Sequence, residues 1–204
     1  MCIRDREAAV ALVIRLSRAL DRAGEDAREA AYARLITPVA KYWICKSVPG
    51  FIFEAMESLG GNGYVEESLL PRLYREGPVN AIWEGSGNVM CLDVLRALKR
   101  EEEAGLAAAL ARESAVPLTL DAAKLEATRE ATARVTVGKL ALVASAAALK
   151  ESAPAAVAAA YMRTRLEHPR AALYGAAEID GTTADMLQMC IRDSRSSARY
   201  WCDA

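Results

Sequence analysis

Apolar residues recur along this chain at the three- and four-residue spacing of helices. No stretch alternates convincingly with the period of two that a strand requires. Over residues 7–22 the apolar side chains form one broad face, while Arg15, Arg18 and Arg22 form a polar stripe. Abundant Ala, Leu, Arg and Glu also favour helix. The spacing therefore predicts an all-α protein, a helical bundle.

The first half of the chain shows clear helix signals. A first helix is expected over residues 7–22, and a second begins near Asp26, with Pro38 and Pro49 each bending or breaking it. Helical spacing resumes over residues 51–59 and should end at a left-handed cap at Gly60. Residues 60–80 read as loop with a short helical turn at 71–75, because glycine and proline punctuate them densely.

Helix is expected again after Glu84, capped by Ser86, with Val89, Leu92 and Leu95 among its buried residues. Beyond residue 100 the chain is Ala-rich, and further helices are expected at about 102–113, 121–151 and 154–166. Ala-rich helices bury little area per residue. We therefore interpret residues 7–100 as the bundle and residues 101–188 as a helical C-terminal extension.

The two ends share a feature that no fold explains. The pentapeptide of residues 1–5 recurs verbatim at residues 189–193, whereas genuine structural repeats recur as whole supersecondary units. A DNA sequence that encodes this pentapeptide resembles a transposase adaptor left in poorly trimmed sequencing reads. We therefore interpret residues 1–6 and 189–204 as non-native, adaptor-like tails. A genuine five-residue repeat is the alternative.

Composition bounds the function classes. Only Cys45 and Cys91 lie between the tails, which excludes a disulfide framework and metal-ligand spacing, and both fall on apolar faces. The net charge of −1 carries no overall basic signal for nucleic acid or an anionic membrane. No apolar run is long enough to span a bilayer. We expect a soluble, cytoplasmic protein without a bound metal.

Two glycine-rich segments carry the chemical signals. Gly60, Gly61 and Gly63 allow positive φ and close approach of the main chain to a ligand. Ser86 and Asn88 open a helix whose N–H groups and dipole favour an anion such as a pyrophosphate. Taken singly, each segment is better explained as a plain helix cap.

Taken together, and with Arg72 and Arg75 between them, these segments resemble the acyl-CoA dehydrogenase family. In that family a Gly-Gly-X-Gly-aromatic loop, an Arg-Asp or Arg-Glu turn and a Tyr-Glu-Gly-Thr segment follow in this order in the C-terminal helical bundle. The fuller wording at residues 37–43 and 83–90 resembles the AidB-like branch, named after a bacterial adaptive-response protein. The resemblance covers about residues 7–100 closely and the rest loosely.

The resemblance implies roles for individual residues. Glu84 matches the carboxylate that removes the α-proton of an acyl-CoA thioester, while FAD accepts the β-hydride. Ser86 and Asn88 match flavin-contacting positions. The three glycines match a loop that approaches the FAD of a neighbouring subunit: Gly60, Gly61 and Gly63. Trp83, Ser86 and Glu57 stand where the commoner pattern has Tyr, Thr and Gln, and Glu57 puts the adenosine-side contact in doubt.

The resemblance further implies that the intact parent is an FAD-containing dimer or tetramer with a helical N-terminal domain and a β middle domain. The present chain would then be a fragment, inactive alone. The alternative is a DNA-associated, AidB-like protective protein with little dehydrogenase activity, using a local patch of Arg163, Arg165 and Arg170. A third possibility is that residues 101–188 only extend an oligomer interface.

Other residues have simpler interpretations. Trp83 belongs either to the core or to an aromatic wall that raises the basicity of the neighbouring carboxylate by desolvation. Arg72 and Arg75 are expected to form structural ion pairs or caps rather than bind substrate. His168, the only histidine, has no clustered partner ligands, and no catalytic or metal role is assigned to it.

Overall fold

The computed structural model describes residues 2–113 and 132–167, together with residues 181–182 and 185–186. All regular structure within these residues is helical, so the all-α prediction is confirmed. None of the helices described there is both long and apolar enough to cross a membrane. The helices are α1 (Cys2–Arg22), α2 (Ala27–Ser58), α3 (Gly61–Tyr64), α4 (Leu70–Glu76), a 3-10 helix (Gly77–Ala81), α5 (Gly87–Ala97), α6 (Glu101–Glu113), α7 (Ala133–Ser152) and α8 (Ala155–Met162), followed by a π-helical turn (Arg163–Glu167).

Helix α2 runs without interruption through Pro38 and Pro49, so neither proline breaks it, and the expected bend at each stays a prediction. A proline inside a helix costs about 3 kcal/mol. Leu35, Ile36 and Val39, on both sides of Pro38, are completely buried, and each such burial contributes about 1.5–3 kcal/mol. Core packing therefore offsets the hydrogen bonds that the prolines cannot make.

The start of α2 agrees with the sequence prediction. Asp26 is the N-cap, and its carboxylate accepts hydrogen bonds from the backbone N–H groups of Arg28 at 2.8 Å and Glu29 at 3.4 Å. These bonds satisfy donors that the first helical turn leaves without an intrahelical partner.

Helix α7 lies in the main core, packed against α1, α2, α5 and α6. Val137, Leu140 and Val143 are completely buried in the same apolar cluster as Leu35 and Ile36 of α2. Close approach is possible because small residues line α7. Residues 121–151 were expected in an extension, yet the described part of them packs at the centre of the bundle. The proposed boundary at residue 100 stays a prediction.

The buried face of α5 agrees with the expected apolar face at Cys91 and differs from it at Val89. Cys91 and Val94 face the core, whereas Val89, which was expected to be buried, is 49% exposed. Because α5 begins at Gly87, and Gly87 itself is buried, the face that meets α2 contains residues 87, 91 and 94. This is the three- and four-residue spacing of one helix side. The prediction for Val89 was wrong by about half a turn.

Ion pairs join α2 to its neighbours. Arg15 of α1 binds both carboxylate oxygens of Glu29, at 2.7 and 2.9 Å, and stacks over the ring of Tyr32 with 4.1 Å to the ring centre. Burial raises the pKa of Tyr32 to about 12. Arg34 binds Asp93 of α5 in the same two-bond geometry, at 2.9 Å each. Such forked pairs fix the orientation of the helices.

Residues 2–6, interpreted above as a tail, continue helix α1 in the structure. Arg4 is completely buried and donates to Thr164, while Asp5 accepts a 2.9 Å hydrogen bond from Arg165 Nε. The adaptor-like origin of these residues stays a prediction, and residues 189–204 lie outside the described residues. Cys91 is buried and Cys45 half-buried, as expected of small apolar-face residues.

Helix α7 can be tested as part of the core. Leu140→Ala should lower the free energy of unfolding by about 2–5 kcal/mol, because it leaves a cavity at a completely buried position. Val135→Ala on the same helix is the matched control, since Val135 is 60% exposed and should change stability little. Urea denaturation of both variants measures the difference. Equal, small effects would mean that α7 does not belong to the core.

Candidate functional site

The glycine loop follows the end of α2 directly. Gly60 has a φ of 58° and a ψ of −141°, so it has the expected positive φ without the left-handed helical ψ. Its backbone N–H donates to the carbonyl of Glu57 at 3.0 Å. Gly60 and Gly61 are exposed, and an added Cβ at either would meet nothing within 4 Å. Their main chain is therefore open to an approaching ligand.

Gly63 has a different reason to be glycine. A Cβ at this position would lie 2.2 Å from the backbone carbonyl oxygen of Met56. The single helical turn of α3 therefore packs its main chain directly on the last turns of α2. A flavin contact by Gly63 stays a prediction, because its internal packing alone requires glycine.

An open groove of about 450 Å³ lies beside this loop. Its walls combine the apolar surfaces of Tyr64 and Tyr74 with charged groups at one side, where Arg75 binds Glu66 at 2.7 and 3.0 Å. Arg72 pairs with Glu76 at 2.9 Å. The expectation that both arginines form structural ion pairs is thus confirmed.

Glu84 sits in the turn between the 3-10 helix and α5. Its φ is 48°, and it is the only non-glycine residue with positive φ among those the structure describes. Gly85 follows with a φ of 112°, and a Cβ there would lie 2.4 Å from Met90 Cε. Glu84 is exposed. Its carboxylate therefore projects from a constrained turn into open space rather than into the dry pocket that a general base needs.

The residues before Glu84 are also exposed. Trp83 is 57% exposed and Ile82 66%, so the interpretation of Trp83 as a core residue is wrong for this chain. Large apolar side chains that remain exposed next to a polar group are typical of a surface that another molecule or domain covers. The alternative, an aromatic wall beside the carboxylate, stays a prediction.

The N-terminus of α5 has the predicted position. Ser86 is the N-cap residue, but its side chain makes no capping hydrogen bond. Asn88 is engaged by a residue that the sequence did not indicate, because its Oδ1 accepts a 2.8 Å hydrogen bond from Arg134 Nε of α7. Because this bond uses the Asn88 side-chain oxygen, the side-chain NH₂ group of Asn88 is the part that could donate to a ligand.

Lys41 of α2 is a second contact that sequence reasoning missed. Its ammonium donates to the carbonyl oxygens of Asn80 at 2.7 Å and Trp83 at 3.2 Å. Lys41 is half-buried. Its two partners lie 39 and 42 residues away along the chain, so no local pattern signals the contact.

The two glycine-rich segments do not meet in one pocket. Gly63 packs on Met56, whereas Gly87 packs on Lys46 and Tyr42, which precede Met56 by ten and fourteen residues in the same helix. A rise of 1.5 Å per residue separates these positions by about 15–21 Å along α2. Helix α2 thus carries the two glycine-rich segments at two separate places on its surface.

The structure describes only part of the arginine patch proposed for DNA. Arg165 is paired with Asp5, and Arg170 lies outside the described residues, as does His168. Among the described residues, no group of three His, Cys, Asp or Glu side chains could hold a metal ion. The two glycine-rich loops therefore remain the candidate sites among the described residues.

Residues 2–99 match the family described as acyl-CoA dehydrogenase, C-terminal domain. The putative acyl-CoA dehydrogenase AidB of Escherichia coli (strain K12) is 64% identical over 95 residues, which are 47% of this chain and 17% of that protein. Acyl-CoA dehydrogenase family member 11 of Caenorhabditis elegans is 44% identical over 89 residues, 43% of this chain and 14% of that protein. The chain thus spans a small part of either relative.

Two solved structures share the fold. The crystal structure of Caenorhabditis elegans ACDH-11 in complex with C11-CoA has a TM-score of 0.67 at 26% identity, covering 81% of this chain and 34% of that one. The apo-form of Bd2924 has a TM-score of 0.62 at 25% identity, covering 71% and 31%. The bundle described above is therefore the fold of these proteins' matching parts.

The two kinds of glycine in the loop can be separated by mutation. Gly63→Ala should lower the free energy of unfolding by about 1–3 kcal/mol, because the new Cβ collides with the Met56 carbonyl. Gly61→Ala is the matched control and should change stability by less than about 0.5 kcal/mol, since its Cβ has open space. Urea denaturation measures both. Equal effects would contradict the packing of α3 on α2.

Proposed function

Because residues 2–99 belong to the acyl-CoA dehydrogenase C-terminal domain family, we propose that the intact protein is an FAD-dependent, acyl-CoA dehydrogenase-like oxidoreductase of the AidB-like branch. One observation carries the proposal. Glu84, the match to the family's base, is held at positive φ in a turn next to exposed Ile82 and Trp83. The Glu84 carboxylate is therefore accessible to a substrate or to another domain that covers this surface.

In the proposed reaction, the Glu84 carboxylate takes the proton from the α-carbon of an acyl-CoA thioester. When bound, FAD supplies the acceptor for the hydride that leaves the β-carbon, and a Cα–Cβ double bond results. A carboxylate must lose hydration to become basic enough for this proton transfer. Since Glu84 is exposed in this chain, we infer that substrate and the rest of the parent exclude water from it, with Trp83 as one wall.

The residues present fit an FAD only in part. Ser86 leaves its hydroxyl uncommitted to capping α5, and the first-turn N–H groups of α5 suit an anionic or polar cofactor group. The exposed main chain of Gly60 and Gly61 suits a second contact. We assign cofactor contacts to Gly60, Gly61, Gly63, Ser86 and Asn88. The flat ring system of the flavin has no enclosing pocket among the described residues.

The substrate class and the oligomer belong to the proposal as well. A structure with the same fold is in complex with C11-CoA, which supports a fatty acyl-CoA thioester. The roughly 15–21 Å between the two loops along α2 supports an oligomer, because one loop can serve the chain's own FAD and the other a neighbour's. A dimer or tetramer satisfies this arrangement.

The chain alone should not keep a flavin. The glycine loop is exposed and the groove beside it is open, so the purified 204-residue chain should elute from gel filtration with far less than one flavin per chain and no dehydrogenase activity. Absorbance of the protein peak after incubation with FAD measures the ratio. A yellow peak with one flavin per chain would contradict the assignment of separate, incomplete surfaces.

Glu84→Gln should abolish most of the chemistry in the intact parent. Positioned acid–base groups contribute roughly 100- to 10,000-fold in rate, so acyl-CoA-driven flavin reduction should slow at least about 100-fold while flavin content stays the same. Stopped-flow absorbance measures the rate. Glu102→Gln, which removes an exposed carboxylate of α6, is the matched control and should have no effect. A near wild-type rate for Glu84→Gln would mean that another group is the base.

A further inference from the structure

We propose that Lys41 is a positioning residue that holds the turn before Glu84 in the conformation that aims the Glu84 carboxylate. Its catalytic consequence rests on the proposed function, whereas its effect on the backbone does not. Lys41 does not belong to either glycine-rich segment. It lies in the middle of α2, and its side chain reaches across to the turn.

The ammonium of Lys41 binds the turn at two points. It donates to Asn80 O at 2.7 Å and Trp83 O at 3.2 Å, both at the end of the 3-10 helix, where carbonyl groups lack helical partners. A cation is also favourable at the negative end of a helix. On its other side, Trp83 donates its backbone N–H to Val79 O at 3.0 Å. Trp83 is therefore held at both its N–H and its carbonyl.

Fixing the Trp83 carbonyl fixes Glu84, because the same peptide plane contains the Glu84 N–H. The chain after Glu84 is fixed independently, since Gly85 packs on Met90 and Gly87 on Lys46. Between these two anchored segments Glu84 takes a φ of 48°. L-residues avoid this region, and it persists only where the surroundings over-determine it. Lys41 supplies the anchor on the N-terminal side.

The direction of the carboxylate depends on this conformation. A return of Glu84 to an ordinary negative φ near −63° would rotate the backbone by about 110° and turn the side chain away. Misplacement of a catalytic group by about 1 Å can cost on the order of 100-fold in rate. A side chain that holds φ thus acts on catalysis without touching substrate.

The backbone part is tested on the chain itself by stability. At positive φ glycine is favoured, so Glu84→Gly should have a folding equilibrium constant about fivefold or more above that of Glu84→Ala. When Lys41→Met is also present, the ratio of the two folding equilibrium constants should fall below about twofold, because residue 84 of the alanine variant can then return to a negative φ. Lys41 is half-buried and Met keeps its aliphatic stem. If Lys41→Met does not fold, Lys41→Gln provides the same comparison.

Two controls make this comparison decisive. Lys99→Met, at an exposed position after α5, removes the same charge and should leave the fivefold ratio intact. Lys41→Arg keeps a cationic donor and should also retain most of it. A ratio that is unchanged by Lys41→Met would show that the turn holds its own conformation, and the proposal would be wrong.

The catalytic part is tested in the intact parent. Lys41→Met should lower the rate constant of flavin reduction at saturating acyl-CoA at least about tenfold, with flavin content and acyl-CoA affinity unchanged, and Lys41→Arg should recover most of it. If Glu84→Gln keeps the wild-type rate, the proposed base fails, while the stability ratio still decides the role of Lys41. If Glu84→Gln is slow and Lys41→Met is not, the positioning proposal alone is overturned.

Discussion

The continuity of helix α2 is the constraint on which the structure depends. This single 32-residue helix packs against α1, α5, α6 and α7 and carries both glycine-rich segments on its surface. A break at Pro49 would uncouple the Tyr42 and Lys46 surface from the Met56 surface. The two loops hold a fixed separation because α2 continues through Pro49 despite the backbone hydrogen bond that this proline cannot make.

Charge pairs add direction to a core held by apolar contact. Partly buried ion pairs contribute modestly to stability, since solvent screens them and desolvation opposes them. Their two-bond geometry nevertheless sets how helices lie against α2: Arg15 with Glu29 orients α1, and Arg34 with Asp93 orients α5. The orientation of α5 in turn fixes where the turn at Glu84 begins.

Features governed by neighbouring residues were predictable from the sequence. The cap at Asp26, the positive φ at Gly60 and the N-cap position of Ser86 each follow from local backbone chemistry. Features governed by packing between distant segments were not. Helix α2 continues through Pro38 because of side chains contributed by other helices, and Lys41 meets carbonyl groups that lie far along the chain. The roles assigned to the site residues remain predictions, because they depend on groups beyond this chain.

The exposure of Glu84 separates two requirements that a catalytic base must meet. Direction comes from the backbone, and here the chain supplies it through a strained turn held at both ends. Basicity comes from loss of water, which an exposed carboxylate has not undergone. In the proposed enzyme the second requirement is met only when substrate and the remaining domains cover Ile82 and Trp83. Proton abstraction then becomes possible only in the assembled complex, where the hydride acceptor is also in place.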